Sequence, residues 1–211
     1  MKKQLCIWIA AIAVGCAGST HAASLYNENF STTTTGWSGA TLILSPVDTN
    51  TASAVGTAFT TFGGYNFGVG NAVPTVFQEY YTSLDIYLDL AGGWANNTRF
   101  DWSSAINNNL GTHRRDFIFN AGFYNDATGP GANTNRFVIS ASNNSQPGSA
   151  FAKNPARDPI AISTSGWYTF EHHFYDNGGV LAVDMSIFDT GTNSLVHQWT
   201  LSDPLDLIAG I

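Results

Sequence analysis

The chain has little cysteine, and none after residue 16. Cys6 and Cys16 are its two cysteines among 211 residues. Both lie in the N-terminal segment that we predict to be removed, which leaves no thiol for a disulfide, a zinc–cysteine site or a cysteine nucleophile. A remaining chain of nearly 190 residues buries enough surface to fold without such cross-links.

Basic residues are also scarce, with 8 Lys and Arg against 15 Asp and Glu. Loss of Lys2 and Lys3 leaves six basic residues and a net charge of −9. An acidic surface repels the phosphate backbone, so a nucleic-acid partner is not expected. Charged residues make up only 11% of the chain, but its 44% apolar content argues against general disorder.

No apolar run is long enough to span a bilayer, so we predict no transmembrane segment. The run over residues 5–14 has about 10 residues, against the roughly 20 that a spanning helix needs. It follows Lys2 and Lys3 and precedes small residues, which is the layout of a secretory signal peptide. We therefore predict a signal over residues 1–22 and a secreted, periplasmic or cell-surface protein. Alternatively, residues 13–16 resemble an imperfect lipoprotein box that would anchor the protein at Cys16.

Alternating apolar and polar residues recur along the rest of the chain, and no segment shows a helical period. Within residues 80–90, Leu84, Ile86 and Leu88 fall on one face of a strand and Asp85 and Tyr87 on the other. The same alternation predicts further strands at 116–124, 136–141, 167–175, 180–188 and 195–201, with a tight turn at 177–179.

Strands at this spacing predict an all-β domain over residues 23–211, either a sandwich, a jelly roll or a barrel. We commit to a jelly-roll β-sandwich of two antiparallel sheets. Because residues 205–211 are apolar and have no evident partner, we also predict that the sequence is a fragment or that a final strand is missing from it.

The outer phase of several strands carries aromatic, acidic and amide side chains suited to sugars. Rings stack on pyranose faces, while acids and amides bind hydroxyls. If these strands share one sheet, their side chains converge on one concave surface. An ordinary solvated sheet face is the alternative. The candidate glycan-binding residues are Asp85, Tyr87, Asp116, Asn120, Tyr124, Glu171, His173 and Tyr175.

Two stretches resemble the concanavalin A-like lectin/glucanase superfamily. They are residues 26–30 followed by Gly36 and Trp37, and residues 165–171 with the hairpin over 176–188. The resemblance implies a jelly roll with a polysaccharide in its groove. Residues 118–126 are similar to a strand motif of one alginate-lyase family, although the family's lysine and glutamine are replaced here.

That superfamily includes lectins, glycosidases and lyases, and this sequence lacks the glycosidase string Glu-x-Asp-x-x-Glu. We therefore predict a carbohydrate-binding protein whose partner is a polysaccharide. A polysaccharide lyase or glycoside hydrolase using Glu171, His173 or Tyr124 is the first alternative. A structural envelope or matrix protein is the second.

Each kind of enzyme needs particular groups. A hydrolase needs two carboxyls, for which Glu171 with Asp184, or Glu171 with Asp116, are the candidate pairs. A lyase needs a base and a group that neutralises the uronate. The candidate neutralising residues are Arg114, Arg115, Arg136 and Asn120.

No cofactor is expected from the sequence. Calcium is the one alternative, at residues 126–135 or at Asp176 and Asn177, since these stretches are rich in oxygen ligands. Neither has the order of an EF-hand loop, which favours a polar loop without metal.

Overall fold

The computed structural model describes residues 26–30, 32–43, 57–59, 64–65, 76–144 and 151–211. The chain separates into two compact units, residues 1–66 and 67–211, and each is considered by itself. The expected export signal and the lipoprotein box lie outside the described residues. The expectation of one domain over 23–211 stays a prediction.

Among its described residues, the first unit has four short strands, which form two antiparallel pairs. Trp37 anchors its described part, because its indole Nε1 donates to the Tyr26 hydroxyl at 2.6 Å and its ring meets Phe30 edge-on at 5.2 Å. Residues 26–30 form no strand, so the opening strand that the resemblance implied is not found there. The four strands are β1 (Trp37–Ser38), β2 (Thr41–Ile43), β3 (Thr57–Phe59) and β4 (Gly64–Tyr65), with β1 paired to β4 and β2 to β3.

The described part of the second unit contains eight strands, and the sequence alternation predicted six of them. The two that it did not predict are β6 and the three-residue β9. The helical residues of the described part are short 3₁₀ turns, and none has the length and apolar character to cross a membrane. The strands are β5 (Tyr80–Leu88), β6 (Thr98–Asn107), β7 (His113–Tyr124), β8 (Arg136–Ser142), β9 (Ile160–Ile162), β10 (Gly166–Asn177), β11 (Val180–Asp189) and β12 (Ser194–Leu207).

These strands form two four-stranded antiparallel sheets. The front sheet has the order β12-β11-β10-β5, and the back sheet has the order β6-β7-β8-β9. Within this unit, β5 belongs to the front sheet, the next four strands form the back sheet, and β10 to β12 belong again to the front sheet. Strand β5 therefore pairs with β10, with Ile86 opposite Tyr168, across a large sequence separation.

A tight turn joins β10 to β11, as the sequence predicted. Gly178 and Gly179 have φ angles of 68° and 93°. Two successive positive φ values are what a two-residue hairpin turn requires, and glycine adopts them without a steric cost. The Asp176 carboxylate accepts a hydrogen bond from the Gly179 amide at 2.6 Å, which closes the turn.

The core lies between the inner faces of the two sheets. Phe170 and Phe174 of the front sheet meet Phe119 and Phe117 of the back sheet edge-on, with ring centroids 5.2 and 5.5 Å apart. All four rings are fully buried. Each such ring contributes about 1.5–3 kcal/mol by leaving water. The predicted all-β sandwich of two antiparallel sheets is confirmed, and the alternation of β10 and β11 buries Phe170, Phe174, Leu181 and Val183 completely.

A histidine is buried among these rings and links the two sheets. His172 is fully buried, and its Nε2 lies 3.0 Å from the carbonyl oxygen of Phe117. Because a carbonyl only accepts, Nε2 carries the proton and Nδ1 is left to accept from the Thr82 hydroxyl at 3.3 Å. Burial lowers the pKa of His172 to about 3, so the ring is neutral.

Part of the outer face of the back sheet is covered by residues of the first 3₁₀ turn between β8 and β9. Ala152, in the 3₁₀ turn Phe151–Lys153, packs on Tyr124 and Val138, and all three residues are buried. The outer face of the front sheet instead carries mostly polar and aromatic side chains. We call it the front face, meaning the outward side chains of β5, β10, β11 and β12.

Candidate functional site

Strand register places five of the eight predicted site residues on the front face. On β10, Glu171, His173 and Tyr175 alternate with buried residues and point outward. On β5, Asp85 lies opposite Thr169, and Tyr87 lies opposite Trp167. The period-two alternation therefore located this face correctly. Whether a ligand binds there is a separate matter, which stays a prediction.

A row of three neighbouring rings, the first two of them stacked, occupies one end of the front face. The Tyr81 and His173 rings lie parallel, 4.1 Å apart, and the Tyr175 ring follows at 5.0 Å from His173. The imidazole Nε2 is 2.5 Å from the Glu79 carboxylate, which fixes the orientation of the histidine ring. Tyr81 is 53% exposed, so this end of the front face presents an accessible aromatic ring.

A second aromatic pair occupies the other end. Tyr87 and Trp167 meet edge-on with ring centroids 5.4 Å apart. Beside them the Thr169 hydroxyl donates to the Asp85 carboxylate at 2.6 Å and lies 3.0 Å from the Thr190 hydroxyl. The two aromatic groups are thus separated by a strip of hydroxyls and carboxylates.

Glu171 stands in the middle of that strip. It lies opposite Ser83 on one side and Ser186 on the other, and it is half-buried. Burial raises the pKa of its carboxyl, and the charge of His173 opposes this rise. No hydrogen bond to this carboxylate is found within the described residues. A carboxyl with a perturbed pKa and unused acceptors is a candidate for contact with a ligand.

Asp184 on β11 is the carboxylate next to Glu171. It lies opposite His173, which makes it a diagonal neighbour of Glu171. Diagonal positions on paired antiparallel strands are about 7–8 Å apart. Asp184 differs from Glu171 in its surroundings, because it accepts hydrogen bonds from the hydroxyls of Thr200 at 2.6 Å and Tyr175 at 3.4 Å.

The other three predicted site residues are not on the front face, because their strand, β7, belongs to the back sheet. Tyr124 points away from the core as predicted, but it is only 2% exposed and lies beneath Lys153, whose Nζ is 4.2 Å from the ring centroid. Its burial also removes it from the accessible candidates for a catalytic base. The eight predicted residues therefore do not converge on one surface, because their strands do not all belong to one sheet.

Asn120 and Asp116 make structural contacts on the back sheet. Asn120 is buried, donates to Asp101 at 3.0 Å and accepts from Ser142 at 3.0 Å. Asp116 lies 3.1 Å from His113 and accepts from Asn144 at 2.7 Å. Since Asp116 and Glu171 belong to different sheets, they do not share a face, and Asp184 is the remaining partner for Glu171.

The arginines named for a lyase are engaged elsewhere. Arg114 and Arg115 both pair with Asp206 of β12. Arg136 is fully buried within the loop over residues 126–135. None of the three is among the residues that form the front face.

Arg136 also bears on the calcium alternative. Its guanidinium donates to the carbonyl oxygens of Asp126, Thr128, Pro130 and Thr134, at 2.6–3.2 Å. The oxygens of this loop therefore already surround a cation from the chain itself. Hydrogen bonds from Lys153, then the Thr128 amide, then Arg136 hold the pKa of the Asp126 carboxyl below its usual range. Over the described ranges, no group of three or more His, Cys, Asp or Glu residues is arranged to hold a metal ion.

Sequence reasoning did not name Glu79, Tyr81 or Trp167 as site residues, although it did name Asp184 as a possible partner of Glu171. Tyr81 and Trp167 share the outward phase of Asp85 and Glu171, so the alternation itself was a signal for them. The contact of Glu79 with His173 had no such signal, because the two residues are 94 positions apart in the sequence.

Comparison of the chain with protein-family models, curated proteins and solved structures finds no match. The concanavalin A-like resemblance therefore stays a prediction, while the all-β sandwich is shown by the strands themselves.

Proposed function

We propose that this chain is an exported, lectin-like protein that binds a polysaccharide along the front face. The observation that carries the proposal is a polar strip with an aromatic group at each end. Tyr81 and Tyr87 are six residues apart on β5, about 20 Å at the rise of a strand. That length accommodates several sugar rings in a row.

The polar strip supplies the chemistry for sugar hydroxyls. Glu171 has acceptor capacity that no described residue uses, and Asp85 and Asp184 add further carboxylate oxygens. A hydrogen bond to an ionised group is about twice as strong as one between neutral groups, and partial burial increases its strength. The rings of Tyr81 and Trp167 supply flat apolar surface for the faces of pyranoses.

The resemblance to concanavalin A-like domains and the expected export signal support the same proposal. They suggest an extracellular or cell-envelope polysaccharide. A structural matrix protein would not need acceptors such as the Glu171 carboxylate on an accessible face. Glycan binding therefore separates these two possibilities.

The experiment is a binding panel of soluble polysaccharides against the purified protein, with reducing ends and unsaturated uronate absorbance recorded in parallel. We expect at least one glycan to bind without product formation. Tyr81→Ala should weaken that binding several-fold. Leu110→Ala, which truncates an exposed side chain in the turn between β6 and β7, is the control and should bind normally.

Glycoside hydrolysis is the second candidate function, favoured by the position of Glu171 relative to Asp184. The backbone positions of these two residues are diagonal neighbours about 7–8 Å apart, which allows their carboxyl groups to lie at the roughly 6.5–9.5 Å separation that inverting glycosidases use. The raised pKa of Glu171 suits a general acid, and the hydrogen-bonded Asp184 suits a base. For a lyase, His173 is the base candidate that remains on this face.

Glu171→Gln separates binding from catalysis. In a lectin, this substitution keeps a hydrogen-bonding group and should reduce affinity only modestly. In a glycosidase it removes the general acid and should abolish product formation while the glycan still binds. Asp85→Asn is the matched control for catalysis. It makes the same carboxylate-to-amide change in a side chain that already accepts from Thr169, so product formation should persist in this variant.

A further inference from the structure

A cavity of about 300 Å³ opens beside the front face, between β12 and the turn that precedes β9. This volume is at the lower end of the range for small-molecule sites. The argument below uses six of its lining residues: Ala156, Arg157, Asp158, Gln198, Trp199 and Thr200.

The cavity adjoins the face proposed to bind the polysaccharide. Thr200 lines the cavity and donates to Asp184 on the front face at 2.6 Å. Gln198 lines it as well, and its side-chain oxygen accepts from Ser186 of the same face at 3.3 Å. The outward side chains of β12 therefore connect the front face to this cavity at the edge of the front sheet.

Arg157 brings to the cavity a positive charge that acts on Asp101 across Asn120 but makes no direct salt bridge among the described residues. Arg114, Arg115 and Arg136 each pair with an aspartate, whereas Arg157 has no ion pair within the described part of the chain. Its Nη1 donates to the Asn120 side chain at 2.9 Å, and its Nε is buried without an acceptor among the described residues. A buried donor without a partner is unusual.

We propose that the cavity binds an acidic sugar unit, with its carboxylate on the guanidinium of Arg157. This inference rests on the proposed function and adds the class of glycan, namely a polymer that carries uronate units. Arginine suits the role because its planar fork matches a carboxylate and pairs with it through two hydrogen bonds. Gln198 and Thr200 lie where hydroxyls of the same unit would bind.

The acidic character of the chain does not prevent this. At physiological salt, charges farther away than about 8 Å are largely screened, so the local cation dominates. The acidic residue at the cavity, Asp158, has an 83% exposed side chain that lies 3.5 Å from His197. Asp101 is separated from Arg157 by Asn120, which bonds to both.

The test compares hexagalacturonate with the same oligosaccharide after reduction of its carboxylates to alcohols, at 0.15 M ionic strength. The wild-type protein should bind the acidic form at least about tenfold more tightly. Arg157→Gln should abolish this preference while binding of the reduced form changes less than about twofold. Arg99→Gln, a charge change on the outer face of the back sheet, should keep the preference.

A second substitution leaves the bond between Arg157 and Asn120 in place. Ala156→Glu adds a carboxylate to an exposed lining residue and should reverse the preference, whereas Ala156→Gln, of the same size, should not. Equal affinity of the wild-type protein for both forms overturns this inference but not the proposed function. Binding of neither form also overturns it, and the wider polysaccharide panel then decides whether glycan binding survives.

Discussion

Nε of Arg114 on β7 donates to Oδ1 of Asp206 on β12 at 2.9 Å, so a salt bridge joins the back sheet to the front sheet. The guanidinium of Arg115 binds the same carboxylate. The Asp206 side chain is completely buried. Two arginines thus compensate one buried negative charge at the end of the last strand.

Removing that charge should be costly. Asp206→Asn removes the anion that Arg114 pairs with and one of the two that Arg115 pairs with, and breaking a buried pair typically costs about 3–5 kcal/mol. Asp203→Asn is the comparison, because Asp203 pairs with Arg115 at 2.9 Å but its side chain is less buried than that of Asp206, so its loss should cost less. Urea unfolding measures both. Equal losses for the two variants would contradict the structural role given to Asp206.

His172 should make the fold sensitive to acid. Its folded pKa of about 3 lies below the ordinary value near 6.5. Between about pH 3 and 6.5, His172 therefore binds a proton in the unfolded chain but not in the folded protein. The stability contributed by neutral His172 is complete above about pH 6.5, and it is lost by about 1.4 kcal/mol per pH unit as the pH falls towards 3.

His172→Gln isolates this effect from the other titrating groups. The variant should be less stable than wild type at pH 8, because it loses the fitted contacts to Thr82 and Phe117. The difference in unfolding free energy should narrow steadily between pH 6.5 and 4.5. A difference that is constant over this range would show that His172 already takes up a proton in the folded state.

Arg136 should stabilise the loop over residues 126–135 without help from calcium. Arg136→Met leaves the carbonyls of Thr128 and Pro130 without their donor and should cost several kcal/mol. Calcium chloride should not raise the Tm of the wild-type protein, because a ligand stabilises only where it binds the folded state. A calcium-dependent rise in Tm would mean that the ion enters this loop or another site.

Tyr124→Ala should lower the stability of the fold much more than Tyr81→Ala does. Tyr124 is buried beneath Lys153, so its truncation should cost about 3–5 kcal/mol of stability, as for other buried aromatics. Tyr81 is more than half exposed, and its truncation should cost about 1 kcal/mol or less. Thermal and urea unfolding measure both. A Tyr124→Ala variant with wild-type stability would place this ring at the surface.

Much of the fold could be predicted from the sequence because alternation fixes which face each side chain occupies. It placed Glu171 and His173 outward and Phe170 and His172 inward. Strand β6 gave a weaker signal, since its inward set of Phe100, Trp102, Ser104 and Ile106 includes a polar residue. Alternation does not say which sheet a strand joins. Tyr124 and Glu171 therefore looked alike in sequence, although their strands lie in different sheets.

The environment of each site residue depended on contacts that are distant in sequence. Nothing near Tyr124 in the chain indicates that Ala152 and Lys153 cover it. The loop over residues 126–135 has the composition of a cation site, but the cation is a side chain, Arg136, that follows the loop. Such contacts form only when the whole sheet has assembled.

The measurement that tests the central claim most directly is the affinity of the Tyr81→Ala variant for the best-binding polysaccharide of the panel. With glycan binding along the front face, Tyr81→Ala should lose affinity several-fold while its Tm stays near that of wild type, and Leu110→Ala should bind as wild type does. If Tyr81→Ala and Glu171→Gln both melt and bind like the wild-type protein, the front face is not the binding site.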